Sequence, residues 1–160
     1  MTARTDPRRI ADDELLITRE FDAPLALVWR LWEDVEQARR WYGPEGFAVL
    51  DLDIDFRPGG AWRCHMHSDA YGHSWSSGHY REIERHRRIV HTFAWEQGSG
   101  ETTETLVTVT FEQRDGRTIQ HFHQTSFSSV DYRDGHVAGW NSQFNKEQAY
   151  VEGLAKGEKS

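Results

Sequence analysis

From Phe47 to Phe127 the chain carries one strand pattern after another, with no helical period between them. Val49 to Phe56 alternates in part and ends at the turn Pro58-Gly59-Gly60. Trp62 to His67, Trp75 to Ile83, Ile89 to Trp95, Thr105 to Phe111 and Thr118 to Thr125 follow. Loops lie at Asp69 to His73 and Gly98-Ser99-Gly100, and a hairpin turn at Arg114-Asp115-Gly116. An antiparallel sheet built this way must bury one face. The element available to cover it is the last one, a helical pattern running about six turns from Gly135. Trp140, Phe144, Val151 and Leu154 share its apolar face, with Glu147 or Gln148 in the missing step.

Ahead of this block, Leu15 to Phe21 alternates as a further strand, and Pro24 opens a helix with the stripe Leu25, Val28, Trp29 and Trp32. Asp22 places negative charge near that helix's N-terminus. A second short helix is expected from about Glu36 to Trp41, ending at Gly43-Pro44-Glu45-Gly46. The fold class is therefore α+β: a curved antiparallel sheet of about seven strands wrapped on a long C-terminal helix, with two short helices after strand 1. The expected organisation is a flexible tail over 1–13, one domain over 14–156 and a short tail over 157–160.

The chain has 160 residues, which suits one domain with a core that needs no covalent staples. Its single cysteine, Cys64, excludes a disulfide framework and cannot make a Cys-based zinc site alone. The net charge is −7, with Arg85-His86-Arg87-Arg88 as the basic cluster, and this balance excludes nucleic acid as a partner. Nine histidines make the charge acid-sensitive, since full protonation gives −7 + 9 = +2. No apolar run approaches the roughly 20 residues of a membrane span. The opening MTARTDPRRIADDELL lacks the apolar stretch of a secretory signal, so a cytoplasmic location is expected. Walker, G-x-G-x-x-G and G-x-S-x-G motifs are absent.

Four motifs in order carry a resemblance. Ile17-Thr18-Arg19-Glu20-Phe21-Asp22-Ala23-Pro24 with Val28-Trp29 is followed by Trp41-Tyr42-Gly43-Pro44-Glu45-Gly46-Phe47. Phe56-Arg57-Pro58-Gly59-Gly60 comes next, and Gly139-Trp140 lies on the final helix, with weaker matches at Gly78, Glu82-Ile83 and Thr92-Phe93. Over roughly residues 15 to 155 the chain resembles the activator of heat-shock protein 90 ATPase homologue-like family, of the START-like helix-grip superfamily (SRPBCC). The resemblance implies the helix-grip fold and a cavity between sheet and C-terminal helix for a small hydrophobic or aromatic ligand, lipids included. It also suggests a link to the stress response. Chaperone activation is not expected to carry over directly, because the founding member works through a separate N-terminal domain as well as this one and these residues read as one domain.

Strand parity of the family type points Trp62, Cys64 and Met66 inward, with Phe93, Trp95, Val107, Val109, Phe111, Gln120, Phe122 and Gln124. Trp140 and Phe144 face them, and Trp41, Tyr42 and Phe47 form an entrance rim or a packing clasp. Inward amides at Gln120 and Gln124 must find partners. Tyr80 and Glu82 share parity with Gly78 and are the weak catalytic candidates for a cyclase or dehydratase. His65-Met66-His67 and His121-Phe122-His123 have a metal-ligand spacing, but the same parity turns all four imidazoles outward on strands that are not neighbours. No metal and no cofactor are expected. The reading is a small-molecule binder, monomer or small homodimer; the alternatives are an enzyme using the same pocket and a protein-interaction module. Asp51, Asp53 and Asp55 discourage pairing along the Val49–Phe56 edge.

Overall fold

The computed structural model describes residues 11–159. Its elements are β1 (Glu14–Phe21), α1 (Leu25–Glu33), α2 (Val35–Ala38), β2 (Ala48–Ile54), β3 (Ala61–Ser68), β4 (Gly72–Glu84), β5 (Arg88–Trp95), β6 (Thr105–Arg114), β7 (Arg117–Thr125) and α3 (Val130–Lys159). The strands form one seven-stranded sheet in the order β1-β7-β6-β5-β4-β3-β2. Each neighbouring pair is antiparallel. The sheet is unclosed, with β1 and β2 as its edges. The strand pattern led to such a sheet, and its arrangement is the helix-grip one that the resemblance implies.

Alternation produces the buried face. In β1, Leu15, Ile17 and Phe21 are buried while Leu16 and Thr18 face out. In β6 every second residue from Thr105 to Phe111 is buried. Two bulges interrupt the alternation, at Val49/Asp51 and at Tyr80/Glu82. The first leaves Leu50 54% exposed on the edge strand, beside Asp51 and Asp53.

Pro24 is the N-cap of α1, in extended backbone with ψ 151°. The Leu25 N–H is satisfied from another element, by Gln113 Oε1 of β6 at 3.1 Å. Asp22 pairs with Arg117 at 3.4 Å. The second helix is a single turn, shorter than expected, capped by Asp34, whose side chain accepts the Glu36 N–H. Beyond it the chain continues as tight turns to Tyr42.

Helix α3 begins five residues before Gly135, and its 30 residues span about 45 Å. It continues through Lys159, so residues 157–159 are helical where a tail was expected. Residues 1–10 of the expected N-terminal tail lie outside the described residues. Within it, Asp13 O accepts the Phe127 N–H at 3.0 Å. No helix among the described residues is long and apolar enough to cross a membrane.

Close packing between β4 and β5 depends on Gly78. A Cβ there would lie 1.9 Å from Thr92 O and 2.6 Å from Trp62 Nε1. The bare Cα lets the Trp62 indole reach across the sheet and donate to Thr92 O at 3.1 Å. Gly78→Ala is expected to cost about 2–3 kcal/mol through this clash, read as a lowered midpoint in urea denaturation. An unchanged midpoint would show that the two strands give way freely.

Candidate functional site

The inward face divides into a filled half and an open half. In the filled half, under β1, β7 and β6, Phe122 lies 5.1 Å from Phe144 and 4.6 Å from Trp140 between ring centroids. Trp32 packs on Trp41 at 5.0 Å. Val107, Val109, Phe111, Phe122 and Phe144 are core residues of this half and line no open space. Gln120 and Gln124 are also sealed here. Gln124 accepts from Trp140 Nε1 at 2.7 Å and donates to Thr105 Oγ1 at 2.8 Å. Gln120 Nε2 donates to Glu147 Oε1 at 3.1 Å, and Trp32 Nε1 donates to both Gln120 Oε1 and Glu147 Oε2, at 3.0 and 3.1 Å.

Glu147 occupies the polar step foreseen on the helix face, and it is fully buried. Burial pushes its carboxyl up to about 8, against the opposing effect of the Gln120 and Trp32 N–H groups and of Arg19.

The open half lies between the first turns of α3, the loop from Tyr42 to Phe47, and strands β3, β4 and β5. It holds a cavity of about 410 Å³. Of the residues expected to line it, Met66, Phe93, Trp95 and Trp140 do so, with Tyr42 and Phe47 from the loop. Trp41 is a packing clasp instead, buried with its indole N–H donating to Leu31 O at 3.0 Å. Trp62 and Tyr80 border a separate void of about 30 Å³. Gly135 and Gly139 leave a bare strip of helix on the cavity wall, and Ser76, Ser99 and Gly100 are small residues facing it.

Parity counting fails at Glu82. The bulge after Tyr80 turns Glu82 outward, where it is exposed and lies 3.8 Å from Arg88. Ile83 becomes the residue packed on the core. Tyr80 is buried with its phenol pKa raised by desolvation, and no acid–base pair forms between it and Glu82. Cys64 is buried, and desolvation raises its thiol to about 12, which leaves it unreactive.

The histidine pairs face outward. His65 Nε2 lies 2.8 Å from His73 Nδ1, His121 contacts Glu112 and Thr18, and His123 contacts Glu14. Strands β3 and β7 stand apart in the sheet, and no group of three or more potential ligands among the described residues is placed to hold a metal.

His91, His136 and Gln143 lie on the inward face without having been expected there. His91 shares parity with Phe93 and Trp95, so alternation alone places it inward; it is buried, and desolvation lowers it to about 4. His136 lies on the cavity wall with both ring nitrogens engaged. Nδ1 donates to Tyr132 O at 3.0 Å, and Nε2 accepts from Trp95 Nε1 at 3.1 Å. Burial lowers its pKa, so the ring is neutral near pH 7. Gln143 is also on the wall, 4% exposed, and its Nε2 has no hydrogen-bond partner. One signal pointed to it: it precedes Glu147 by one helical step of four residues.

A seven-stranded antiparallel sheet that grips one long helix and keeps an aromatic-lined cavity beside it defines a helix-grip protein. The family model described as Activator of Hsp90 ATPase homolog 1-like protein matches residues 22–152, and the chain belongs to this family. Its fold is similar to a protein of Chromobacterium violaceum, with a TM-score of 0.81 and 23% identity over 89% of this chain and 99% of that one. An AHSA1 protein of Silicibacter pomeroyi has a TM-score of 0.78 and 22% identity, over 86% and 96% of the two chains. A protein of Rhizobium leguminosarum has a TM-score of 0.76 and 26% identity, over 87% and 93%. No curated protein matches the chain.

Glu147 yields a pH prediction. Its folded-state value, about 8, lies above the ordinary 4.5 of a glutamate. The unfolded chain therefore releases this proton first, and stability falls as pH rises from about 4.5 through 8. Glu147→Gln is expected to remove that slope, leaving the variant more stable than wild type at pH 8 by on the order of a few kcal/mol. The gap should close near pH 4.5 in urea titrations at each pH; a gap independent of pH would assign the effect to packing.

Proposed function

We propose that the protein binds a small hydrophobic or aromatic molecule in the cavity between the sheet and α3. The observation that carries this reading is an unfilled volume of about 410 Å³ with an apolar, aromatic wall, against a void of only about 30 Å³ bordering the packed half. That volume falls in the range of small-molecule sites, about 300–1,000 Å³, and far exceeds an ordinary packing defect. Phe93, Trp95, Trp140 and Tyr42 offer ring faces and edges to a ligand.

Binding is favoured over turnover by the chemistry of the wall. His136 has both nitrogens committed, Asp131 is exposed at the first turn of α3, and Glu82 is on the other side of the sheet. No free base stands opposite an acid within the cavity.

The test uses the bare strip of α3. A Cβ at Gly139 meets only Pro44, at 3.7 Å, so a larger side chain enters the cavity without displacing backbone. Gly139→Leu also gains up to about 1 kcal/mol of helix propensity. The wild type is expected to bind the neutral dye N-phenylnaphthylamine with quenching of tryptophan emission. Gly139→Leu should weaken that binding at least tenfold while its melting temperature stays level or rises. Equal dye affinity in the two proteins would sink the cavity reading.

A further inference from the structure

We propose that the ligand carries an uncharged oxygen, a hydroxyl or a carbonyl, at its buried end, and that the hydroxyl of Ser76 hydrogen-bonds this oxygen. The inference rests on the cavity reading above and adds the chemistry of the ligand's polar end.

Ser76 lies where β4 passes along the cavity wall. Its ladder partners are Cys64 on β3 and Trp95 on β5. Cys64 is buried and Trp95 lines the cavity, so Ser76 shares the inward face with both. Ser76 is itself 1% exposed, and its hydroxyl makes no hydrogen bond among the described residues. The side-chain atoms that are both unpartnered and sealed are Trp29 Nε1, Ser74 Oγ, Arg88 Nε and Gln143 Nε2. Ser76 Oγ is unpartnered but not sealed, and the space it opens on is the cavity.

The other polar groups of the wall are placed differently. Trp140 Nε1 donates to Gln124, Trp95 Nε1 to His136, and the Tyr132 hydroxyl to Glu101 O. Ser99 Oγ accepts the Trp75 N–H at 2.9 Å and sits between exposed Gly98 and Gly100, within reach of solvent. Tyr42 carries the remaining hydroxyl, half-buried and held protonated by burial. Of the lining hydroxyls, that of Ser76 belongs to the most buried residue.

A hydroxyl open to a cavity of this size is hydrated when no ligand is bound. A wholly apolar ligand would expel that water and strand the hydroxyl, whereas a ligand oxygen takes the water's place. Charge decides the kind of oxygen. The lining contains no lysine or arginine, and its one carboxylate, Asp131, is exposed. A ligand carboxylate or phosphate would lose its hydration with no counter-charge in return. Hydroxyl and carbonyl oxygens avoid that penalty, and a serine hydroxyl can donate to either.

The experiment titrates naphthalene, naphthol, naphthyl methyl ketone and naphthoate calorimetrically into wild type, Ser76→Ala, Tyr42→Phe and Ser99→Ala. Dividing each affinity by that of naphthalene in the same protein, and comparing proteins, cancels the ligands' own hydration. Ser76→Ala is expected to lower this ratio about fivefold for naphthol, the ketone or both, and naphthoate should bind wild type weakest. Naphthalene should bind Ser76→Ala at least as tightly as wild type, which also reports an intact cavity. Ser76→Cys takes its place if the Ala variant does not fold. Ratios unchanged by Ser76→Ala, a loss confined to Tyr42→Phe or Ser99→Ala, or tightest binding of naphthoate would overturn the proposal and leave the cavity reading standing. Failure of all four compounds to bind wild type would remove both.

Discussion

One helix has to cover the concave face of a seven-stranded sheet, and the contact that sets its rotation is polar. Trp32 of α1, Gln120 of β7 and Glu147 of α3 join three elements through three hydrogen bonds of 3.0–3.1 Å, with Glu147 fully buried. Apolar contacts are non-directional, so small rotations of the helix cost them little. A buried carboxyl with two specific N–H donors is not tolerant, because any other rotation leaves three polar groups unsatisfied. Glu147 therefore decides which residues of α3 look toward β3, β4 and β5.

The consequence is legible along one row of the helix. Gly135, Gly139, Gln143, Glu147, Val151 and Ala155 follow at steps of four, winding slowly around the axis. The row begins with two glycines at the cavity wall, passes through an amide with an unmet donor, reaches the sealed carboxyl, and ends in packed Val151 and Ala155. The open space exists where this row has no side chains to fill it. Opposite it, Trp95 is held in place by His136 and by Gly100, where a Cβ would come within 2.7 Å of the indole. The cavity is thus framed by aromatic rings with small residues between them.

Much of this was visible in the sequence, and the failures share a physical cause. The strands followed from alternation, α1 from Pro24 and its apolar stripe, five wall residues from parity and the Trp41–Phe47 motif, and Trp140 from the apolar face of the last helix. Glu82 was misplaced because parity assumes an unbroken ladder, and one extra residue at a bulge reverses every side chain beyond it. Gln143 and His136 escaped because a helix face traced through its apolar residues skips its polar members. The division of the inward residues into core and cavity wall was not readable at all. It depends on how much volume Phe122, Phe144, Trp32 and Trp41 fill together, a property of three dimensions that no period in the chain encodes.

The interior also carries an electrostatic design that the net charge of −7 conceals. Ionisable groups on the inward face are moved toward their neutral form: Glu147, Cys64, Tyr42 and Tyr80 upward, His91 and His136 downward, in each case chiefly by desolvation. Fixed charge is left on the outer face and the rim, where Arg63–Glu96 and Arg117–Glu20 pair in solvent. The cavity consequently offers dipoles and ring quadrupoles, with the exposed Asp131 as its charged lining residue. On the proposed binding function, selection inside it would rest on apolar area, ring geometry and hydrogen bonding.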